Sequence, residues 1–220
     1  QTLADVGVSD RFLTELLSKH IYILGDARTN NLVNRTMLSW RVVESLVNSL
    51  RQQSLIEVGR RQDGELVYRL TEKGRFVTED LFKQCAYVGP APISFTDYVR
   101  LVSRQTIRGL QVTPAAMAKA YGDAVIDTAL FSKLGPAIHS GRALFLYGPP
   151  GTGKTYIGKR ISRLLGDTIL IPHAILVNDR VVTLFDPVVH TPVVDTTPPD
   201  GLLLNDIDRR YVRCQRPAVV

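Results

Sequence analysis

The chain has 220 residues, of which 45% are hydrophobic and 22% charged, and its formal net charge is +6. This length exceeds one typical domain, and the apolar fraction is sufficient for ordinary hydrophobic cores. No stretch approaches the roughly 18 uncharged apolar residues of a membrane span, and the N-terminus lacks a signal pattern, so we expect a cytoplasmic protein. Cys85 and Cys214 lie far apart, without the spacing of a zinc site or a disulfide scaffold, which predicts free thiols.

The first region, residues 1–88, begins with three predicted helices. Asp10 is expected to cap a first helix that ends near Gly25, and a short second helix is expected over residues 30–34. Ser39 is expected to cap a third helix, whose apolar residues repeat at helical spacing and predict one buried face: Val42, Val43, Leu46, Val47 and Leu50.

The hydrophobic period then changes to that of strands. Residues 55–58 and 66–70 predict an antiparallel pair joined around Asp63-Gly64, a dipeptide typical of tight hairpin turns, and a closing helix is expected from about Thr71. Three helices, a hairpin and a closing helix form a winged helix-turn-helix, an α+β fold. Residues 70–75, Leu-Thr-Glu-Lys-Gly-Arg, resemble the sequence that commonly follows the wing in that family, and the resemblance covers residues 8–86.

The excess of positive charge lies outside this region. Residues 1–88 carry 12 Lys and Arg against 11 Asp and Glu, a net of +1, whereas residues 89–220 carry 15 against 10, a net of +5. DNA binding by the third helix would favour a basic exposed face, yet Glu44 interrupts its predicted exposed positions, Arg41, Ser45, Asn48, Arg51 and Gln52. Arg60 and Arg61 at the predicted wing are placed to reach phosphate.

A domain boundary is predicted at Gly89-Pro90-Ala91-Pro92, which breaks regular structure. Residues 89–140 are then expected to form a linker and helical lead-in, with helices over 95–103, 114–121 and 125–134 and with Thr113-Pro114 as cap and first helical residue. Gly135-Pro136 and Ser140-Gly141 are expected to lead the chain into a strand that opens a third region, residues 141–220.

The most informative motif lies in this third region. Eight residues fit the pattern G-x-x-x-x-G-K-[ST]: Gly148, Pro149, Pro150, Gly151, Thr152, Gly153, Lys154 and Thr155. The apolar run 143–147 before them predicts a parallel strand buried on both faces. The helix expected after them has an apolar stripe of Ile157, Ile161, Leu164 and Leu165, with Lys159, Arg160 and Arg163 on the solvent side.

This composition suits the binding of a nucleoside triphosphate. Glycines allow successive backbone N–H groups to turn inward at the positive end of a helix. Lys154 adds a charge for the β- and γ-phosphates, and the Thr155 hydroxyl is placed to ligate Mg²⁺. Pro149 and Pro150 stiffen the loop, which lowers the entropy lost when a ligand orders it. The sequence therefore predicts ATP and Mg²⁺ as ligands of residues 148–155.

The residues for hydrolysis are not evident. Such sites usually require an Asp at the end of a second strand, often with a neighbouring Glu, but no glutamate follows Glu79. Asp206, after an apolar run at 202–204, is a weak candidate for the metal-side aspartate, whereas Asp179 fits a hairpin turn and Asp186 a strand exit. Because the chain starts at Gln1 rather than Met and ends in an apolar dipeptide, we expect a fragment of a longer protein.

The helical lead-in followed by Gly-Pro-Pro-Gly-Thr-Gly-Lys-Thr resembles AAA+ ATPases, and the order of regions resembles the bacterial chaperone-like AAA+ proteins with an N-terminal winged helix. The resemblance implies a P-loop parallel sheet in residues 141–220 and a ring-forming motor that binds ATP between subunits. Of the motor's functional residues, only the loop positions 148–155 carry over. Residues 174–194 resemble a β-hairpin insertion that precedes the acidic pair in relatives, which weakens Asp206.

An arginine finger is also implied by the resemblance, and the cluster Arg209, Arg210, Arg213 and Arg216 offers candidates, although a solvated basic face is the simpler interpretation. Three functions stay open. The first is an AAA+ ATPase that remodels protein partners, with the winged helix as an adaptor. The second is a nucleotide-regulated ATPase whose winged helix binds duplex DNA, and the third is a nucleotide-binding module that does not hydrolyse.

Overall fold

The computed structural model describes residues 2–59, 66–106, 112–122, 127–140, 142, 144–164, 168–193 and 208–216. Over these ranges the chain is a mixed α/β protein with helices and small, mostly antiparallel sheets. It divides into two compact units. The first comprises Gln1–Arg100, Ile171–Phe185 and Thr196–Val212, and the second comprises Leu101–Leu170, Asp186–Asp195 and Arg213–Val220.

The elements follow one another in this order: a 3-10 turn (Ala4–Val6), α1 (Asp10–Leu24), β1 (Ala27–Arg28), α2 (Thr29–Thr36), α3 (Trp40–Gln52), β2 (Ile56–Val58), β3 (Val67–Leu70), α4 (Glu72–Gln84), β4 (Ile93–Ser94), α5 (Phe95–Arg104), α6 (Pro114–Tyr121), α7 (Thr128–His139), α8 (Lys154–Leu164), β5 (Thr168–Pro172), β6 (Ala174–Val177), β7 (Arg180–Thr183) and β8 (Tyr211–Gln215). Within the described ranges, no helix has the length and apolar character needed to cross a bilayer.

The helices α1, α3 and α4 enclose the core of the first unit. Ser9, and not Asp10 as predicted, is the N-cap of α1, because its hydroxyl accepts a hydrogen bond from the Phe12 N–H at 3.3 Å. Asp10 is instead the first helical residue, where a carboxylate interacts favourably with the helix dipole. The predicted buried face of α3 is confirmed, since all five of its apolar residues are at most 2% exposed: Val42, Val43, Leu46, Val47 and Leu50.

A small antiparallel sheet lies beside these helices in the strand order β1-β3-β2, with Ile56 opposite Leu70 and Val58 opposite Tyr68. The strand pair β2 and β3 confirms the prediction, whereas the two-residue strand β1 was not predicted. The predicted Asp63-Gly64 turn lies outside the described residues.

The start of α4 is fixed by a side-chain cap and a close backbone contact. The Thr71 hydroxyl accepts a hydrogen bond from the Gly74 N–H at 3.0 Å, as the predicted helix start requires. A Cβ placed on Gly74 would lie 2.0 Å from the carbonyl oxygen of Leu55. Glycine is therefore needed at this position for α4 to approach the end of α3.

A second sheet in the first unit has the order β4-β6-β7. Strand β4 pairs in parallel with β6, and β6 pairs antiparallel with β7 around a turn at Asn178 (φ 46°) and Asp179 (φ 61°). Two successive left-handed residues are the conformation of a type I′ hairpin turn, a conformation that Asn and Asp tolerate better than most residues. The predicted hairpin turn is thus confirmed.

The second unit contains the bundle of α6, α7 and α8. Its core consists of Met117, Ala120, Tyr121, Leu134, Ile138 and Ile157. Thr113 caps α6 through a 3.1 Å hydrogen bond from the Ala116 N–H, as predicted. The expectation that Gly135-Pro136 ends a helix was wrong, because α7 runs on to His139. Burial of Leu134 and Ile138 on either side of the proline offsets the one helical donor that Pro136 lacks.

The apolar run before the glycine loop differs from its prediction. Residues 144–147 form no strand in the described structure, and Phe145 and Tyr147 are each 84% exposed, with ring centroids 6.2 Å apart. Leu146, between them, packs against the bundle core. A parallel strand forms only by pairing with neighbours, and no described segment pairs with these residues. The expectation of burial on both faces is therefore not met here.

Candidate functional site

The glycine loop, residues 148–153, leads directly into α8. Its three glycines all have positive φ values, 150° at Gly148, 80° at Gly151 and 76° at Gly153. Only glycine adopts such values without strain. The first hydrogen bond of the helix runs from the Ile157 N–H to the Gly153 carbonyl oxygen at 2.9 Å. The loop therefore ends at the helix N-terminus, where the first N–H groups have no acceptor within the helix.

Within the described residues, the space over the loop is open. A Cβ placed on Gly151 or Gly153 would meet no heavy atom of these residues within 4 Å, and one on Gly148 would meet only the Thr152 hydroxyl, at 3.7 Å. Backbone conformation, rather than crowding by other parts of the chain, is thus what requires these glycines. The open face allows a ligand to approach the loop backbone.

Lys154 lies across the loop. Its ammonium donates hydrogen bonds to the carbonyl oxygen of Pro149 at 2.6 Å and to the hydroxyl oxygen of Thr152 at 3.3 Å. The Thr152 hydroxyl itself donates to the same carbonyl at 2.9 Å. The positive charge is consequently held over the loop by weak, neutral acceptors. A phosphate oxygen would form a stronger, charge-assisted bond with the same ammonium.

The remaining loop residues complete one open surface. Pro149, Pro150 and Thr152 are exposed, and Thr155 is exposed as the second residue of α8. Thr155 therefore lies next to the loop, within the first turn of the helix. All eight residues of the predicted site thus lie together at the N-terminal end of α8, on the part of the loop that solvent reaches.

Helix α8 is anchored by its apolar stripe. Ile157 is 7% exposed and belongs to the bundle core, and Ile161 and Leu164 pack against it, as predicted. Leu165 and the Arg163 side chain lie outside what the structure describes. Arg160 was expected on the solvent side but is 9% exposed, with its guanidinium carbon 3.4 Å from the centre of the Tyr156 ring. A planar guanidinium can stack on an aromatic face and bury its apolar stem, which a helical pattern does not reveal.

The candidate aspartates have structural roles where they are described. Asp179 forms the hairpin turn. The Asp186 carboxylate accepts a 2.8 Å hydrogen bond from the Val188 N–H, and the Asp186 N–H donates to His190 Nδ1 at 3.0 Å, so this residue, predicted at a strand exit, lies in a turn that follows β7. Asp206 lies outside the described residues. Among the residues that are described, no group of three or more His, Cys, Asp or Glu is arranged to hold a metal ion.

The C-terminal arginine cluster is not one solvated face. Arg210 is 3% exposed and donates to the Asp208 carboxylate at 2.7 Å and to the carbonyl oxygens of Val6 at 2.8 Å and Pro92 at 3.1 Å. The interpretation as a solvated residue is wrong for Arg210, because its donors are occupied inside the first unit. No local pattern in the sequence marks the two carbonyl partners, which lie more than 100 positions from Arg210.

No protein-family model matches the chain, and no curated protein matches it. A solved structure of an organohalide-sensing transcriptional regulator in its ligand-free form is similar over 67% of this chain and 77% of that chain, at 13% sequence identity and a TM-score of 0.29. A likeness at this level carries no argument about fold or function.

Proposed function

We propose that residues 148–155 bind the polyphosphate of ATP together with Mg²⁺. One observation carries the proposal: three positive-φ glycines form an open loop at the N-terminus of α8, and the Lys154 ammonium lies over that loop. Backbone N–H groups, a helix N-terminus and a lysine are the donor set that recognises phosphate in loops of this sequence pattern.

Each residue of the loop has a separate role in this proposal. The N–H groups of the loop and of the first turn of α8 hold phosphate oxygens, and Lys154 exchanges its bond to Pro149 for one to phosphate. The Thr155 hydroxyl is a ligand for Mg²⁺, which when bound neutralises part of the phosphate charge. The space over Gly151 and Gly153 admits the phosphates without a side chain of the described residues in their way.

We further propose that the chain is part of an AAA+ ATPase that acts as a homo-oligomeric ring on protein partners. The element order α1-β1-α2-α3-β2-β3-α4 and the strand order β1-β3-β2 support a winged helix as its N-terminal adaptor. The helices α6 and α7, which precede the loop and share a core with α8, support the helical lead-in of the family. The P-loop parallel sheet belongs to this proposal as well.

The binding proposal is tested by titrating the chain with a fluorescent ATP analogue in the presence of Mg²⁺. Lys154→Ala should lower the affinity at least tenfold, because a charge-assisted contact to phosphate is lost. Lys159→Ala is the matched control, since Lys159 is an exposed lysine of the same helix. Equal affinity of the wild type and Lys154→Ala would overturn the proposal.

Hydrolysis is a separate test. Because no glutamate follows Glu79, we expect phosphate release by this chain to be near the background rate. Such a result favours the non-hydrolysing module as the description of these 220 residues. Robust turnover that disappears in Asp206→Asn would instead identify Asp206 as the metal-side aspartate.

DNA binding is the second candidate, because α3 presents a polar face to solvent. Its exposed polar residues are Arg41, Glu44, Ser45, Asn48, Arg51 and Gln52, and Trp40 at its start is also exposed. The near-neutral charge of residues 1–88 argues for weak non-specific binding, with a Kd of about 10⁻⁴ M or weaker at physiological salt. A salt titration on random duplex DNA tests this point. Submicromolar binding lost in Arg41→Ala or Arg61→Ala, but kept in Arg75→Ala on α4, would favour a DNA-directed ATPase over the protein adaptor.

A further inference from the structure

A cavity of about 360 Å³ lies in the first unit between the start of α1 and the end of α4. Its apolar part is formed by Phe12, Leu16 and Leu81, and its polar part includes Lys19, with Ser9 and Gln84 nearby. Arg11, Glu15 and Asp179 complete its charged lining. The cavity belongs to neither the glycine loop nor the exposed face of α3, so the proposed functions do not account for it.

Lys19 is the buried charge of this cavity, with only 5% of its surface exposed. Its ammonium donates a 2.6 Å hydrogen bond to the carbonyl oxygen of Cys85, the residue that caps the C-terminus of α4, and lies 5.7 Å from the centre of the Phe82 ring. Within the described ranges no carboxylate lies within 4 Å of this nitrogen. An ammonium has three donors, and the hydrogen bond to Cys85 uses one of them.

The other charges of the lining are at the rim. Arg11 and Glu15 neutralise each other through a 2.8 Å ion pair, and Asp179 is exposed at the tip of the β6–β7 hairpin. The negative end of the α4 dipole compensates the Lys19 charge in part. A buried ammonium beside an apolar surface is stabilised most by an anion that also has an apolar portion.

We propose that this cavity binds a small organic carboxylate. The carboxylate accepts hydrogen bonds from the Lys19 ammonium, and the hydrocarbon portion contacts Phe12, Leu16 and Leu81. The cavity volume is in the range of small-molecule sites, about 300–1,000 Å³. Its place on α1 and α4 gives the first unit a ligand of its own, separate from any nucleotide in the second unit.

The test measures thermal unfolding of the whole chain in rising concentrations of sodium hexanoate, with sodium chloride at equal ionic strength as the reference. Hexanoate should raise the Tm saturably in the wild type, since a ligand bound only to the folded state stabilises it by mass action. Lys19→Met should bind hexanoate at least tenfold more weakly. Lys83→Met, which alters an exposed lysine of α4, should match the wild type.

A second measurement does not depend on a variant that folds. Hexanamide has nearly the shape of hexanoate but no charge, and it should leave the wild-type Tm unchanged. An equal effect of hexanamide and hexanoate, or no effect of either, would overturn the proposal. Inorganic phosphate binding as tightly as hexanoate would also overturn it, because the site would then select charge without an apolar portion.

Discussion

The Tyr121 hydroxyl donates a 3.1 Å hydrogen bond to the carbonyl oxygen of Ile157, one turn into the helix that follows the glycine loop. Tyr121 ends α6, is 2% exposed and meets the Phe131 ring edge-on at a centroid distance of 6.2 Å. Burial raises the pKa of Tyr121, so the phenol stays a protonated donor at neutral pH. The lead-in helix is thereby tied by a polar bond to the helix that presents Lys154.

Tyr121→Phe keeps the ring and removes this bond. We expect the free energy of unfolding to fall by about 1 kcal/mol, the usual net contribution of one neutral hydrogen bond. Urea denaturation measures the change. Tyr147→Phe is the control, because Tyr147 is 84% exposed and should unfold like the wild type. Equal stabilities of Tyr121→Phe and the wild type would show that the bond contributes nothing.

Arg210→Ala should be far more destabilising than its neighbour Arg209→Ala. Arg210 is buried and donates hydrogen bonds to Asp208 and to two backbone carbonyls, all of which lose a donor in the variant. We therefore expect the free energy of unfolding to fall by about 3–5 kcal/mol. Arg209 is exposed and has one hydrogen bond, to Asn34 Oδ1 at 3.0 Å. Its replacement should cost less than about 1 kcal/mol. Denaturation with guanidinium chloride measures the free energy of unfolding of both variants. Similar losses in the two variants would contradict the assigned role of Arg210.

His20 should make the first unit less stable in mild acid. Its Nε2–H donates to the Gly89 carbonyl at 3.0 Å, and its buried Nδ1 has no partner in the described part of the chain. Burial lowers the pKa of His20, and the nearby Arg35 lowers it further against the opposing effect of the Gly89 bond. Protonation thus favours the unfolded chain. The contribution of neutral His20 to the free energy of unfolding is fully present above the unfolded pKa of about 6.5. This contribution is lost as the pH falls below that value.

The prediction for His20 is tested by urea denaturation from about pH 7 to about pH 5. Over this range one titrating group changes the free energy of unfolding by at most about 1.4 kcal/mol per pH unit. His20→Gln keeps a side-chain donor but does not titrate, so its stability should fall less over this range. His139→Gln serves as a control. Identical pH profiles for His20→Gln and the wild type would contradict the prediction.

The β6–β7 turn should accept glycine and reject a branched side chain. Asp179 has a left-handed conformation, φ 61°, which Gly adopts freely and Val does not. We expect Asp179→Gly to be as stable as the wild type or more so, and Asp179→Val to lose about 1–2 kcal/mol. Thermal unfolding of the two variants provides the comparison. A Val variant as stable as the Gly variant would show that the turn has another conformation.

Much of this fold follows from local sequence patterns. The apolar stripe of α3, the Thr71 and Thr113 caps and the Asn178-Asp179 turn involve residues within a few positions of one another, so their physical causes are visible in the sequence. The pairing of β4 with β6 joins residues about 80 positions apart, and two-residue strands carry too little pattern to be recognised.

In the candidate site, too, some features follow from the local sequence and others depend on tertiary contacts. The loop 148–155 was predicted from its own composition, and its glycine conformations depend only on the local backbone. The burial of Arg160 on Tyr156, and of Arg210 beneath Val6 and Pro92, depends on tertiary contacts that override the polar character of arginine. The burial of Lys19 also depends on a tertiary contact, because its position in α1 does not indicate that it contacts the end of α4.

The loop conformation can be tested through its glycines. The added Cβ of Gly151→Ala meets no atom of the described residues within 4 Å, but alanine is forced to φ 80°, so the loop itself is strained while the bundle core is unchanged. We expect weaker binding of the fluorescent ATP analogue, with the Tm within a few degrees of the wild type. Unchanged affinity would mean that the loop does not need this conformation to bind nucleotide.

The most direct test of the central claim is calorimetric titration of the wild type and Lys154→Ala with ATP, ADP, AMP and adenosine, each in excess Mg²⁺. A site that recognises polyphosphate through the loop and Lys154 predicts that ATP and ADP bind far more tightly than AMP, that adenosine shows no measurable binding, and that Lys154→Ala removes the advantage of ATP and ADP. Equal binding of all four ligands, or an order unaffected by Lys154→Ala, would contradict the assignment of residues 148–155 as a phosphate-binding loop.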